Sequence, residues 1–238
     1  MEKWKYKSMK GNRNMKFKKK IVILLVSAML FQVISPVLAI INDEFAVTAY
    51  AEAVISNFAF DENPKLKYLE IPAGISKLNY EFVDGANNIE TIEIPETVTE
   101  IVISAFINMD KLKEINVDDN NPNYSSEDGI LYNKQKTILI SVPKGRTSEV
   151  IVPNTVTKIE KDAFSGCNKI TKISMNDNVT SIGENAFYNC TSLVNVKLSN
   201  SIEKIEKTTF KGCENLTSLE LPNAVTEIGS SAFMPAKS

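Results

Sequence analysis

Apolar residues recur along the chain in a pattern with a period of 23 residues, from about residue 59 to the end. Each repeat carries a dipeptide, usually Ala-Phe, whose second members are separated by 23, 23, 58, 23, 23 and 23 residues. A period of this length indicates a solenoid, in which each repeat forms one coil that stacks on the next. The dipeptides are Ala59-Phe60, Phe82-Val83, Ala105-Phe106, Ala163-Phe164, Ala186-Phe187, Thr209-Phe210 and Ala232-Phe233.

An apolar segment of the form L-x-x-L-x-L follows the dipeptide after a short, more polar stretch. The alternation in its second half is typical of a β-strand with one buried face, so each repeat is predicted to supply one short strand. The six segments are Leu66-Leu69-Ile71, Ile89-Ile92-Ile94, Leu112-Ile115-Val117, Ile170-Ile173-Met175, Leu193-Val196-Leu198 and Leu216-Leu219-Leu221.

Each strand is followed by a turn, often opened by proline, and then by a second apolar pair such as Val98 and Ile101. One coil has no second layer of its own, so its apolar side chains can leave water only by contact with neighbouring coils. The sequence therefore predicts a β-rich solenoid of about seven coils with parallel strands. The phenylalanines at the repeated position are expected to form an interior ladder.

The 58-residue interval exceeds one period by 35 residues, which places an inserted segment at about residues 118–150. The stretch from Tyr124 to Pro143 predicts a β-hairpin: it contains the turn signal Asp128-Gly129, the apolar run Ile130 to Tyr132, polar residues 133–136 and then residues 137–142. A further strand, Val150 to Val152, is predicted to rejoin the repeat at Pro153. Two interpretations of the segment are open. One is a modified coil that keeps the stack continuous, and the other is a loop dedicated to binding.

Two sequence motifs resemble those of a known family: Ile-Pro-x-x-Val-Thr-x-Ile at Ile94 to Ile101, and Ala-Phe-x-x-Cys-x-x-Leu at Ala186 to Leu193. In these motifs, and from about residue 59 to the end, the chain resembles the BspA-like leucine-rich repeat family of bacterial surface proteins. The resemblance implies a leucine-rich repeat array, export and exposure at the surface. For some members it also implies adhesion to host matrix proteins or to other cells.

The N-terminal 51 residues have the three parts of a signal peptide. Residues 1–20 contain nine Lys or Arg, residues 21–31 are almost entirely apolar, and small residues follow. Cleavage after Ala51 or after Ala39 fits the small-x-small rule, and we favour Ala51, which leaves residues 52–238 as the repeat domain. An uncleaved membrane anchor is the alternative. The repeat domain is expected to be secreted or on the bacterial cell surface, with no membrane span after processing.

Composition argues against several classes of function. After Ala51, eighteen basic residues face twenty-six acidic ones, and an acidic body without a basic stripe argues against binding to nucleic acid. The chain contains no histidine, the commonest general base and zinc ligand. The sequence also lacks a phosphate-binding glycine loop and a nucleophile motif. We therefore expect neither an enzyme nor a bound cofactor.

Three cysteines, Cys167, Cys190 and Cys213, occupy a repeat position where other coils have Ala or Met. The shared position favours a buried structural role, since cysteine is among the most buried residue types. A row of thiols lacks the arrangement of a zinc site, and the acidic pairs Asp118-Asp119 and Glu127-Asp128 lack the spacing of calcium ligands. A disulfide between adjacent coils is the remaining alternative, and an odd number of cysteines leaves one thiol free.

The outward positions of the first strand are the predicted binding face, because parallel stacking brings them into rows. The rows change from acidic near the N-terminal coils to mixed and polar, and a merely solvated face is the alternative interpretation. The first row is Tyr68, Thr91, Glu114, Lys172, Asn195 and Ser218, and the second is Glu70, Glu93, Asn116, Ser174, Lys197 and Glu220.

The sequence therefore predicts an exported module that mediates protein–protein recognition or adhesion through this polar face. The alternative is a structural surface protein that self-associates end to end, because the coil from Leu216 to Ser238 has no polar cap. In that coil Ala236 stands at the cysteine position, and Pro235 replaces the glycine found at other coils. A modified terminal coil, a dimerisation edge and a truncated product are all compatible with this change.

Overall fold

Two rows of short strands run along the chain, one from each apolar segment of the repeat. The computed structural model describes residues 21–22, 46–48, 65–83, 85–147 and 149–235. The first row consists of β1 (Ile21–Val22), β2 (Ala46–Thr48), β3 (Tyr68–Glu70), β5 (Thr91–Ile94), β7 (Glu114–Val117), β11 (Val150–Ile151), β13 (Lys172–Ser174) and β15 (Asn195–Lys197). The second row consists of β4 (Lys77–Leu78), β6 (Glu100–Ile101), β10 (Ile138–Ser141), β12 (Lys158–Ile159), β14 (Ser181–Ile182), β16 (Lys204–Ile205) and β17 (Glu227–Ile228). The other described elements are a hairpin, β8 (Tyr124–Glu127) and β9 (Ile130–Asn133), and two 3-10 helices, Tyr80–Val83 and Ile103–Phe106.

The strand register repeats the period of the sequence. Tyr68 lies opposite Thr91, and Thr91 lies opposite Glu114, so each partner is 23 residues further along the chain. In the C-terminal half, Lys172 lies opposite Asn195 with the same offset. All of these pairs are parallel. The register confirms the predicted parallel solenoid of about seven coils.

The predicted leader lies almost wholly outside the described residues, as do both of its expected cleavage points. Its two described strands extend the first row, because β1 pairs with β2 and β2 pairs with β3, in parallel. Phe60, at the first repeated dipeptide, and Ala236, at the last cysteine position, also lie outside the described residues.

The inward side chains of both rows form the core, as their alternation predicts. Leu69, Ile92 and Ile115 have no exposed surface. The buried residues form two hydrophobic clusters, an N-terminal one that begins at Leu66 and a C-terminal one that ends at Ala232. Each fully buried leucine or isoleucine contributes about 1.5–3 kcal/mol, and only the neighbouring coils provide that burial.

The phenylalanine ladder is present in the C-terminal cluster. Ring centroids are 5.0 Å apart between Phe164 and Phe187, 5.0 Å between Phe187 and Phe210, and 5.6 Å between Phe210 and Phe233. Phe164 and Phe187 are completely buried, whereas Phe233 is 44% exposed because no described coil covers its outer side. The predicted interior ladder is thus confirmed for the inner rings. Phe106 is also buried, but it belongs to the N-terminal cluster.

The predicted hairpin is present and joins the two clusters. Leu131 of β9 packs in the N-terminal cluster, whereas its neighbours Ile130 and Tyr132 pack in the C-terminal cluster, and all three are buried. Because side chains alternate along a strand, β9 is covered on both faces. Of the two interpretations of the inserted segment, these contacts favour the modified coil that keeps the stack continuous.

The 58-residue interval contains one further coil besides the hairpin. Val142 donates its backbone N–H to the carbonyl of Ala163 at 2.8 Å, just as Phe164 donates to Ala186 at 2.8 Å. Val142 therefore holds the phenylalanine place of the repeat, and β11 and β12 follow in register with β13 and β14. The additional length of the interval lies between Phe106 and Val142, where the hairpin is found.

The last coil departs from the prediction in its first strand. Leu216, Leu219 and Leu221 are expected to lie in a strand, but the structure has none at these residues. Leu221 is 40% exposed, because no described coil packs on this side, and a segment without burial is only weakly held in register. The coil pairs with its neighbour through β16 and β17 instead.

The corner that follows the Ala-Phe dipeptide also changes in the last coil. The equivalent Gly166 and Gly212 have positive φ values of 74° and 79°. Proline fixes φ near about −65°, so Pro235 cannot repeat this conformation. The backbone therefore leaves the repeated course at Pro235.

Candidate functional site

The N-terminal half of the candidate face is assembled by β3, β5 and β7. Their pairing places Glu70 opposite Glu93 and Glu93 opposite Asn116, in a row beside Tyr68, Thr91 and Glu114. Glu114 is exposed, and the other five residues are partly exposed. The outward positions predicted from the alternation are thus accessible to a partner in these coils.

The C-terminal half of the face is assembled by β13 and β15. Lys172 lies opposite Asn195, and Ser174 lies opposite Lys197. Lys172, Asn195 and Lys197 are exposed. This sheet is separate from the N-terminal one, because β8 and β9 lie against β7 and interrupt the rows between Asn116 and Lys172.

The last pair of predicted face residues is not held in the sheet. Ser218 and Glu220 are both exposed, but they lie in the segment of the last coil that forms no strand. The strand pairing of the two rows therefore ends at Asn195 and Lys197. Of the twelve predicted face residues, the structure places six in the sheet of β3, β5 and β7 and four in the sheet of β13 and β15.

Two residues of the same face were missed by the sequence reasoning. Ile151 of β11 lies opposite Ser174, and Glu149 precedes that strand and pairs with Lys172 at 3.2 Å. Ile151 is 77% exposed, which makes it a large apolar side chain in an otherwise polar row. The signal was available: the strand Val150 to Val152 is predicted from the sequence and lies 23 residues before its partner, so Ile151 could have been placed in the row with Ser174.

The charges of the N-terminal half are arranged across successive coils. Glu90 lies between Lys67 at 2.8 Å and Lys113 at 2.6 Å. Hydrogen bonds from Lys113 and Lys67, together with their charges, lower the pKa of Glu90 to about 2. Burial, followed by the nearby charges of Glu93 and Glu70, raises the pKa of Tyr68 well above its ordinary value, so its phenol stays protonated and can donate a hydrogen bond.

The three cysteines lie in the corner, away from the strand rows, and all are free thiols. Cys167 and Cys190 are buried, and their Sγ atoms donate to backbone carbonyls of the preceding coil, at 3.5 Å for Val142 and 3.1 Å for Phe164. Burial raises the pKa of Cys167 to about 12, so this thiol is neutral and unreactive near neutral pH. The contacts are those of a small packing residue that also satisfies a carbonyl, as the shared repeat position suggests.

Within residues 65–83, 85–147 and 149–235, no group of three or more acidic or cysteine side chains is arranged to hold a metal ion. The described part of the chain also contains no helix of the length and apolar character that crossing a bilayer requires.

Comparison with known proteins agrees with the repeat geometry. The family model for the BspA type leucine rich repeat region matches residues 52–136 and 143–237, in six copies. A leucine rich cell surface protein from Faecalibacterium prausnitzii is 27% identical, with a TM-score of 0.58, and the match covers 79% of this chain and 54% of that one. The pneumococcal vaccine antigen PcpA is 26% identical, with a TM-score of 0.63, over 77% of this chain and 46% of that one. This chain thus spans about half the length of these two solved structures.

No curated protein matches the chain at a significant level. The family match covers well over half of the sequence. The chain belongs to the BspA type leucine rich repeat family.

Proposed function

We propose that the chain is an exported bacterial surface protein that binds a protein partner through the outward residues of its first strand row. The observation that carries the proposal is the register of β3, β5 and β7 and of β13 and β15, which aligns polar side chains on accessible parallel strands. Such aligned, solvent-facing rows are the surfaces that solenoid proteins use for recognition.

Three further observations support binding at the bacterial surface. One of the similar solved structures is described as a leucine rich cell surface protein, and the other is a vaccine antigen. The N-terminal 51 residues have the composition of an export signal. The face itself offers carboxylates, amides, hydroxyls, lysines and one exposed isoleucine, Ile151, which suits a protein surface of mixed polarity.

The experiment is capture of the purified chain on immobilised host matrix proteins and on extracts of host cell surfaces. Charge reversals test the two halves of the face: Glu93→Lys in the N-terminal sheet and Lys172→Glu in the C-terminal sheet. We expect at least one reversal to weaken saturable binding about tenfold or more, since reversed charges oppose a complementary partner.

A matched control is Lys169→Glu, a reversal of the same type at an exposed corner residue outside the strand rows. It should bind as the unmodified chain does. Equal binding by all three variants, or no saturable binding to any protein, would contradict the proposed function.

A second candidate function is self-association through the last coil. Its outer side exposes four large apolar side chains, namely Leu221 (40%), Ile228 (52%), Phe233 (44%) and Met234 (43%). Clustered apolar surface of this kind favours contact with another apolar face.

Light scattering over a range of protein concentrations separates the two candidates. Self-association predicts a mass that rises with concentration and that Phe233→Asp returns to the monomer. A monomer at every concentration excludes this second candidate and leaves the first unaffected.

A further inference from the structure

The three thiols of the corner row differ in their exposure, although they hold the same place in successive coils. Cys167 and Cys190 have no exposed surface, whereas Cys213 is partly exposed. The difference coincides with the change in backbone course at Pro235, in the coil that follows Cys213. Cys213 is therefore the thiol of the three that a reagent in solution can approach.

Two hydrogen bonds to a single oxygen atom place Cys213 beside Cys190. The carbonyl of Phe187 accepts the backbone N–H of Cys190 at 3.3 Å and the thiol of Cys213 at 3.1 Å. The coils here are also closely stacked, since the ring centroids of Phe187 and Phe210 are 5.0 Å apart. A disulfide spans Cα atoms about 4.4–6.8 Å apart, so this stacking distance permits a bond between the two sulfur atoms.

The side chains of Cys190 and Cys213 also hydrogen-bond to each other, and this contact makes them unequal. The hydrogen bond from the Cys190 thiol lowers the pKa of Cys213 below its ordinary value, although burial acts in the opposite direction. The same hydrogen bond, followed by burial, raises the pKa of Cys190 well above its ordinary value. Because the thiolate is the nucleophile, reactivity is concentrated at the exposed member of the pair.

Cys167 lies outside this pair. Its thiol faces the carbonyl of Val142 at 3.5 Å, and burial raises its pKa to about 12. A buried, neutral thiol is inert toward disulfides in solution. The odd cysteine of the three is thus the one farthest along the row from the exposed thiol.

We propose that Cys213 and Cys190 form a disulfide between their coils by exchange with a low-molecular-weight disulfide, with Cys213 as the attacking thiol and Cys167 remaining reduced. The inference goes beyond the proposed function, because the pair lies in the corner and partner binding is assigned to the strand rows. Capture of a protein partner and oxidation of this pair can therefore succeed or fail independently.

The exchange has two balanced steps. In the first, the Cys213 thiolate attacks one sulfur of the small disulfide, whose S–S bond breaks as a mixed disulfide forms, and one small thiolate leaves and takes up a proton. In the second, Cys190 loses its proton and attacks the sulfur of Cys213, which releases the second small thiol. Two cysteine thiols are oxidised to one disulfide, and the small disulfide is reduced to two thiols.

The bond would hold together two coils where burial in the array becomes incomplete. Cys213, Leu216 and Leu219 are only partly buried, whereas their equivalents one coil earlier, Cys190, Leu193 and Val196, are buried. A disulfide that closes a loop of one coil reduces the freedom of the unfolded chain. The oxidised chain should therefore unfold at a higher urea concentration than the reduced chain.

The test incubates the reduced, folded full chain with glutathione disulfide, blocks the remaining thiols with iodoacetamide and measures intact and tryptic masses. Trypsin cuts after Lys169, Lys172 and Lys211, so each cysteine falls in its own peptide. We expect the loss of two hydrogen atoms, a cross-link between the peptides of Cys190 and Cys213, and a blocked Cys167. Without glutathione disulfide, iodoacetamide should label Cys213 at least about tenfold faster than the other two thiols.

Three alanine variants separate the roles, and alanine suits the position because Ala86 holds it in another coil. Cys190→Ala should retain a glutathione adduct on Cys213, since no second thiol resolves it. Cys213→Ala should gain neither an adduct nor a disulfide. Cys167→Ala is the matched control and should form the disulfide as the unmodified chain does. Circular dichroism verifies that each variant is folded.

Three results would each overturn the proposal. They are no oxidation of the folded unmodified chain, a disulfide that includes Cys167, and a glutathione adduct that persists on Cys213 while Cys190 is present. A urea midpoint that the disulfide leaves unchanged would overturn its stabilising role. In that measurement Cys213→Ala, treated in the same way, should show no shift.

Discussion

Arg146 donates from both terminal nitrogens of its guanidinium group to Asp128, one bond reaching the backbone carbonyl and the other the carboxylate. Only 10% of the Arg146 side chain is exposed, against 78% of that of Asp128. Asp128 has a φ of 51° in the turn of the hairpin, and Gly145, next to Arg146, donates its N–H to the carbonyl of Leu112 at 2.6 Å. The pair therefore fastens the hairpin turn to a segment that is itself bound to the preceding coil.

Asp128→Asn should weaken this attachment without altering the turn, because asparagine also tolerates positive φ. The Nε atom of Arg146 is already buried without a hydrogen-bond partner, so the guanidinium group depends on Asp128 for its hydrogen bonds. Loss of a charge-assisted hydrogen bond to a buried group should lower the free energy of unfolding by about 1–2 kcal/mol. Urea denaturation measures the change.

The matched control is Asp119→Asn, at an exposed residue before the hairpin. It should change stability by less than about 0.5 kcal/mol, as exposed substitutions usually do. Equal stability of the Asp128 and Asp119 variants would mean that the Arg146 contact does not hold the hairpin.

The phenylalanine ladder predicts a graded response along the array. Phe187 contacts a ring on each side at 5.0 Å between centroids and is fully buried, so Phe187→Ala should cost about 3–5 kcal/mol. Phe233 has one ring neighbour and is 44% exposed, so Phe233→Ala should cost less than half as much. Denaturation midpoints of the two variants give the comparison, and equal losses would show that the ladder is not the source of stability.

Most of the fold follows from the sequence because one period controls every element. Because Leu69, Ile92 and Ile115 hold the same position in successive repeats, parallel stacking determines which residues are buried and which lie opposite each other. In the long interval the sequence predicts the strand Val150 to Val152, but it does not identify Val142 as the residue in the phenylalanine place, because Val142 has no ring and the hairpin displaces the period. Hydrogen bonds to Ala163 identify its place, and these are visible only in three dimensions.

The candidate face was predictable in part for the same reason. Alternation identifies Glu93 and Lys172 as outward residues, but it does not show that β8 and β9 divide their rows. The strand that contains Ile151 is predicted, but Ile151 was not assigned to the face because the strand lies in the interval that breaks the period. A pattern in one dimension specifies the residues of a coil, whereas the contacts between non-equivalent coils depend on how the inserted segment packs.

Glu90 should make stability depend on pH in acid. Its pKa in the folded chain is about 2, below the ordinary value of 4.5, because Lys113 and Lys67 hydrogen-bond to the carboxylate. Its contribution is therefore complete above about pH 4.5 and is lost as the pH falls from there toward 2. The lysines are largely exposed, so solvent limits the effect to less than about 1 kcal/mol.

The measurement compares Glu90→Gln with the unmodified chain in urea from about pH 7 to about pH 2. The difference in stability should be largest near neutral pH and should shrink through this window. Glu96→Gln, at an exposed carboxylate in the following turn, is the control. A stability difference for Glu90→Gln that stays constant with pH would exclude the ion pairs as its cause.

Thr208 holds a backbone conformation that its side chain opposes, and relief of that strain should stabilise the array. Its φ is 55°, and the equivalent positions one coil away on either side, Asn185 and Ser231, have φ values of 56° and 59°. A β-branched residue is rare in this left-handed region, whereas asparagine is enriched there. Thr208→Asn should therefore raise the free energy of unfolding by about 1 kcal/mol. The reverse change, Asn185→Thr, places the same strain one coil earlier and also removes the Oδ1 atom that the Thr208 hydroxyl contacts, so it should lower the free energy of unfolding by at least as much. Thermal and urea unfolding of both variants test the pair. A destabilised Thr208→Asn would show that the contacts of the threonine hydroxyl, with the carbonyl of Lys207 at 2.7 Å and with Oδ1 of Asn185, outweigh the strain.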